Sequence, residues 1–326
     1  MRLLKAILLR LLYGVLSLLF ITFVSFIADE LAPGDAATVR AGEKASLQQI
    51  EQLRHDMGLD RPWTVRYVES LGNMTHGNFG ESYYGVHEPV VDIIKRTLPV
   101  TMRLALLAII LASAIGITFG TLAAIYQNRF IDRTILTAGT LGVTIPNFVL
   151  GPLLVILFTK VLNDYLYGSF GFGIADSFQT SAEKPANWTM FVLPVIVLAS
   201  RPAAMLTRLT RASMIETMQQ EFIRMATAKG VPFWRLIIRH ALRNAILPVI
   251  TAIGTSFGFL LTGSFVTERF FLIPGLGQET IAAILQTNAP VFTGCIIVTG
   301  VLFLVVNLLV DLILPILDPR IREAQV

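Results

Sequence analysis

Few side chains in this chain are suited to covalent or metal chemistry. There is a single cysteine, Cys295, and there are four histidines, His55, His76, His87 and His240. The histidines are scattered through polar loops and one basic hairpin, so no Cys/His cluster has zinc-ligand spacing. Cys295 lies in an apolar run, where it reads as a small buried hydrophobe rather than a reactive thiol. A lone cysteine also excludes an intrachain disulfide. An intramembrane enzyme would need a nucleophile and a base buried together, and the histidine positions argue against one. The phosphate-cradling pattern G-x-x-x-x-G-K-[ST] is absent from the sequence, so ATP, if used, is bound by another polypeptide.

One stretch does have a spacing that implies chemistry, and that chemistry is docking. Residues 221–250 read EFIRMATAKGVPFWRLIIRHALRNAILPVI. Arg224, Lys229, Arg235, Arg239 and Arg243 face Glu221 alone. The pattern predicts helix, break, helix. Gly230 can end the first helix, because glycine tolerates the left-handed cap conformation. Pro232 can start the second, because a first-turn proline loses no needed N–H. A basic hairpin between two apolar segments belongs at the cytoplasmic face of a membrane and offers a surface to a soluble partner.

The elements that position this hairpin follow from composition. The chain has 326 residues, of which 54% are hydrophobic and 15% charged, and its mean hydropathy is +0.67. A soluble domain is about 45–50% apolar and about 25% charged. Apolar runs near 20 residues long recur, which predicts a polytopic membrane protein. Spans are expected at about residues 11–27, 100–125, 135–162, 190–206, 246–265 and 291–313. Arg2, Lys5 and Arg10 precede the first run. That run is read as a retained span, too long for a typical signal-peptide core and without a clear cleavage site.

Charge sets the orientation. Residues 31–97 carry seven Lys/Arg and nine Asp/Glu, a net of −2 that suits an external segment. Residues 208–243 carry seven basic and two acidic groups, a net of +5. That contrast puts both termini and the hairpin inside. The external segment is too long for an ordinary connection and should fold, with a helix over residues 46–57 capped by Ser46. The polar stretch 163–188 should also be external.

Several residues are candidates for a translocation path. Pro146, Asn147 and Phe148 interrupt span three, where proline frees a carbonyl and bends the helix. A broken helix suits a water-filled path; helix-packing irregularity is an equal alternative. Gly116-x-x-x-Gly120 and Gly254-x-x-x-Gly258 allow close helix approach. Glu268 has three uses open to it: pairing with Arg269, capping the following segment, or contacting solute. The structural uses are favoured. Asn307 and Asp311 share one face of span six.

The sequence resembles the membrane-spanning permease subunits of ABC importers, and within them the peptide/nickel branch. The general family's loop reads Glu-Ala-Ala, three residues, then Gly. Here Arg224-Met225-Ala226 is followed by Thr227-Ala228-Lys229 and Gly230, so the second Ala and the Gly match and the Glu does not. The branch pattern RTARAKG, then RHALRNAxxP, is followed closely by RMATAKG at 224–230 and by Arg239 to Pro248. LRxxxGLDxP at 53–62, GxFGxS at 77–82, Pro89-Val90, Pro274-Gly275-Leu276-Gly277 and Asp318-Pro319-Arg320-Ile321-Arg322 add to it, so the resemblance spans nearly the whole chain.

The resemblance implies an all-α integral membrane protein of the type I importer permease fold, with six transmembrane helices and an extracytoplasmic segment between helices one and two. The expected division is a first span at 1–30, the external segment at 31–97, a five-helix core at 98–316 including the coupling loop 208–245, and a cytoplasmic tail at 317–326. Implied partners are a second, similar permease, two ATP-binding subunits and an extracytoplasmic substrate-binding protein, all at a bacterial inner membrane. No nucleic acid is implied, and no cofactor in this chain. Glu221, Phe222, Ile223, Arg224, Met225, Ala226, Lys229 and Gly230 would form the contact with an ATPase subunit. Peptides are the first expectation for the solute, with nickel or another small solute as the alternative. A gradient-driven carrier is a further alternative; it would more often show inverted repeats and midplane acids, neither of which is clear.

Overall fold

The computed structural model describes residues 2–31, 36–42, 45–158 and 188–317. Residues 163–187 of the expected external stretch 163–188 and the DPRIR tail lie outside these residues, as does the side chain of Asp311. Among the described residues no strand forms; one antiparallel bridge joins Glu81 to Pro89. The helices are α1 (Arg2–Glu30), α2 (Ala36–Ala41), α3 (Leu47–Asp56), α4 (Trp63–Thr75), α5 (Val90–Ile125), α6 (Phe130–Thr144) and α7 (Asn147–Ile156). A 3-10 turn, Trp188–Phe191, leads into α8 (Val192–Met218), followed by α9 (Glu221–Ala228). Then come α10 (Phe233–Gly263), α11 (Phe265–Phe270), α12 (Leu276–Leu285) and α13 (Ala289–Leu317).

Five of these helices are long and apolar enough to cross a membrane. There are six if α6 and α7, bent by 107° at their junction, count as one span. The bend sits where sequence placed it, but it is a break rather than a kink. Ile145 leaves the helical region (φ −78°, ψ 118°), and Pro146 caps α7 from outside the helix, as expected for a residue preceding proline and for a proline that cannot continue a helix. The other helices overrun their expected spans. α5 begins at Val90 and carries Pro99 inside it. α8 runs twelve residues past the expected end, so Arg208 and Arg211 are helical. α10 starts in the basic hairpin and passes through a π-helical stretch at Leu236–Leu242. Hydropathy marks where lipid would be, not where a helix ends, and polar turns extend these helices beyond it.

The described residues form two compact units. The first lies within Met1–Thr101 and Pro274–Leu304. Its core gathers Val90, Ile93 and Ile94 of α5, Leu276 and Ala283 of α12, and Val291 and Cys295 of α13. Ser46 caps α3, as expected, and the structure adds a reciprocal box with Gln49. The loop before α5 is pinned to the end of α12. Asn288 accepts from the Tyr83 N–H at 3.2 Å and donates to the Ser82 hydroxyl at 2.8 Å.

The second unit lies within Met102–Ile273 and Val305–Val326. Gly116 and Gly120 bring α5 against α8 so closely that a Cβ on either would fall 2.5 Å from the Cβ of Leu206 or Thr210. The weak GxxxG pattern therefore marks a real helix contact. Gly254 does the same for α10 against Val310 of α13.

Candidate functional site

The basic hairpin folds as α9, a turn, and the start of α10. Gln220 lies in extended conformation before α9, and Glu221 sits in its first turn, where a carboxylate complements the helix dipole. The end of α9 is a full Schellman turn. The Gly230 N–H donates to the Thr227 carbonyl at 2.9 Å, and the Val231 N–H to the Ala226 carbonyl at 3.2 Å. Gly230 has φ +75°, a conformation that costs an L side chain about 1–2 kcal/mol. Nothing lies within 4 Å of where its Cβ would be, so the glycine is required by backbone conformation and not by space. Pro232 is the residue before the next helix (φ −57°, ψ 141°) rather than its first turn. The second helix therefore starts at Phe233, one residue later than expected.

One face of α9 is spent on the fold. Ile223 is 5% exposed and packs with Met214 of α8 and with Leu236, Ile237 and Ala241 of α10; Ala226 and Val231 close the same cluster. Ala124 at the end of α5 completes it. The hairpin is thus seated on the ends of three long helices. The other face is free. Phe222 is 37% and Met225 61% exposed, with Glu221, Arg224 and Lys229 exposed around them. Of the eight residues expected at a partner contact, Glu221, Phe222, Arg224, Met225 and Lys229 point outward. Ile223 and Ala226 instead anchor the helix, and Gly230 shapes its end.

Sequence reasoning passed over Phe233, Trp234 and Ile238, which follow the turn and are also exposed. Phe233 and Trp234 stack edge to face, with ring centroids 5.5 Å apart. An aromatic pair straight after a Gly-x-Pro turn in a basic run was the available signal. Exposed large apolar groups rimmed by cations on one hairpin are the composition of a protein-docking patch.

The path candidates divide between elements. Pro146, Asn147 and Phe148 stand at the break between α6 and α7, Phe148 being 63% exposed. α7 packs on α11, where Gly151 brings the two helices so near that a Cβ would lie 3.2 Å from the Phe270 ring. Glu268 is on α11 but is 0% exposed, and its Oε1 accepts from the Ser264 hydroxyl at 2.8 Å. It ties the α10–α11 junction together. Asn307 is half-buried on α13, an element apart from these.

Two family models and several curated proteins match this chain. The family described as "Binding-protein-dependent transport system inner membrane component" matches residues 116–323, and its N-terminal counterpart matches residues 3–105. A putative peptide transport system permease protein of Brucella abortus is 36% identical over 306 residues, covering 94% of this chain and 95% of that protein. The dipeptide transport system permease DppB of Bacillus subtilis is 36% identical, over 94% of each chain. The oligopeptide transport system permease AppB of the same organism is 37% identical, over 96% of this chain and 98% of that one. A crystal structure of an amino acid ABC transporter with histidines aligns at TM-score 0.46 and 17% identity, covering 70% of this chain and 94% of that one.

Proposed function

The chain belongs to the family of binding-protein-dependent transport system inner membrane components, and from that premise we propose that it is the permease subunit of an ATP-driven importer of di- and oligopeptides. The substrate class follows the relatives named for peptide transport. The chain is a multi-pass inner-membrane transport subunit. It forms half of a translocation path with a second, homologous permease, and its N- and C-termini are cytoplasmic. ATP is bound by two separate subunits, and solute arrives on an extracytoplasmic binding protein.

The observation that carries this reading is the hairpin. Its outward face is apolar and basic, while its inward face is locked to the ends of α5, α8 and α10. A helix held this way moves with the spans it sits on. Phe222 and Met225 enter an apolar cleft on an ATPase subunit, and Arg224 and Lys229 pair at its rim. Closure of the ATPase pair then displaces α9 as a rigid lever. At the other end of the lever, the break at Pro146–Phe148 lines the route.

The test is uptake of a labelled dipeptide into proteoliposomes holding this chain, its second permease and the ATPase subunits, with the binding protein on the outside. Uptake is expected to require ATP and the binding protein. Uptake that persists without ATP and follows an imposed ion gradient contradicts the reading. In the same assay Gly230→Val is expected to lower uptake about tenfold, the equivalent of about 1.4 kcal/mol of hairpin distortion, with the spans still assembled. Gly230→Asn should stay near wild type, because asparagine tolerates the left-handed region. A fully active Gly230→Val protein would mean that the turn geometry does not matter.

A further inference from the structure

We infer that Asp132 and Arg211 form a positioning clasp that passes movement of α9 to the broken span α6–α7. This rests on the coupling role proposed for α9. The Arg211 Nε donates to Asp132 Oδ1 at 2.6 Å and its Nη2 to Oδ2 at 2.7 Å, a two-pronged pair. Such forks fix orientation as well as distance. Oδ2 also accepts from the Asn128 N–H at 2.8 Å. Asn128 is held at φ +62°, in the turn between α5 and α6. Asp132 is 2% exposed and lies in the first turn of α6, where a carboxylate also meets the positive end of the helix. One carboxylate therefore ties together the α5–α6 turn, the start of α6 and the body of α8.

The position of this knot gives it a mechanical use. Arg211 lies about two turns before the end of α8, and only Gln219 and the extended Gln220 separate α8 from α9. A shift of α9 reaches α8 through this short link and through Ile223, which is packed with Met214 one turn beyond Arg211. Asp132 lies about 18 Å of helix from the end of α6 and its break, so a tilt at the clasp is amplified at Pro146. Beyond the clasp, two glycines of α6 lie against small groups of α8. A Cβ on Gly139 would lie 3.7 Å from the Ala204 Cβ, and one on Gly142 would lie 3.4 Å from the Ser200 carbonyl oxygen. An apolar groove of about 590 Å³ opens among α5, α6 and α8 there. The clasp is a fixed point, and the groove leaves α6 room to swing about it.

The experiment uses the complete importer in proteoliposomes, comparing wild type with Asp132→Asn, Arg211→Gln, Arg211→Lys and the Asp132→Asn/Arg211→Gln double variant. Peptide uptake and ATP hydrolysis are both measured per assembled complex. Each variant is expected to retain its ATPase subunits and at least half of its hydrolysis, while ATP consumed per peptide imported rises about tenfold. The double variant, which strands no charge, should recover thermal stability but not coupling. Where Asp132→Asn fails to assemble, Arg211→Lys, which keeps the charge and loses the fork, reads the same ratio. An unchanged ratio, with uptake and hydrolysis falling together or both intact, overturns the clasp as a transmitter. So does a double variant that recovers coupling along with stability. Loss of hydrolysis control in wild type, or failure of the ATPase to stay bound to wild type, instead overturns the coupling role of α9.

Discussion

Replacing Phe222 and Met225 together by aspartate is expected to strip the ATPase subunits from the purified importer while leaving the membrane-spanning chain folded. Both side chains stand out from α9, 37% and 61% exposed, so neither is needed to hold the hairpin. Central apolar anchors of a docking surface are each worth about 2 kcal/mol. Losing both is about 4 kcal/mol, a ~10³-fold loss of affinity. Two new carboxylates beside Arg224 and Lys229 also cancel the basic rim. The informative comparison is Ile223→Asp. Ile223 is 5% exposed, against Met214, Leu236 and Ile237. A carboxylate there is buried without a partner and costs about 3 kcal/mol of folding stability. The outward pair should therefore change ATPase retention with no change in thermal unfolding in detergent, and Ile223→Asp should lower the unfolding temperature first. If Phe222→Asp/Met225→Asp keeps its ATPase, docking lies elsewhere on the chain.

Gly120→Leu is expected to be the most damaging single change in the membrane-spanning part. A Cβ at residue 120 would sit 2.5 Å from the Thr210 Cβ and 2.7 Å from the Thr207 carbonyl oxygen. The second neighbour is backbone and cannot rotate away. The three further carbons of leucine then force α5 off α8, at about 3 kcal/mol, the upper end of overpacking costs. Gly139→Ala is the matched control, since its Cβ meets only Ala204 at 3.7 Å. Thermal unfolding should separate the two by about 4 °C. Equal stability would mean that α5 and α8 do not approach this closely.

These predictions differ in how much of them the sequence could supply. The glycine contact was legible as a spacing, because GxxxG states where two helices can approach; it does not state which helix comes. The hairpin was legible down to the left-handed cap at Gly230, because cap chemistry is local and a Gly-x-Pro triplet carries it. The side of α9 that faces a partner was not. Phe222, Ile223, Met225 and Ala226 are all apolar, and only the positions of α8 and α10 decide that Ile223 goes inward and Met225 outward. Helix ends were misjudged for a related reason. Arg208 and Arg211 look like loop charges by hydropathy, yet they ride on α8. Asp132 and Arg211 are separated by 79 residues, and nothing local to either predicts their pairing. The break at Pro146 was visible as a proline inside an apolar run, but neither its 107° angle nor the packing of α7 against α11 is written in the local residues.

Cross-linking decides whether the outward face of α9 is the seat of the ATPase. Met225→Cys is made in a Cys295→Ala background, so that the only thiol in this chain stands on that face. The importer is assembled with ATPase subunits carrying single surface cysteines and treated with a short thiol cross-linker. A covalent adduct between this chain and an ATPase subunit is expected, with a yield that changes between the ATP-free and ATP-bound states. No adduct is expected from Ile223→Cys, whose thiol would face the core. An adduct from Ile223→Cys but none from Met225→Cys, or no adduct from either in a complex that still hydrolyses ATP and imports peptide, would contradict docking on that face.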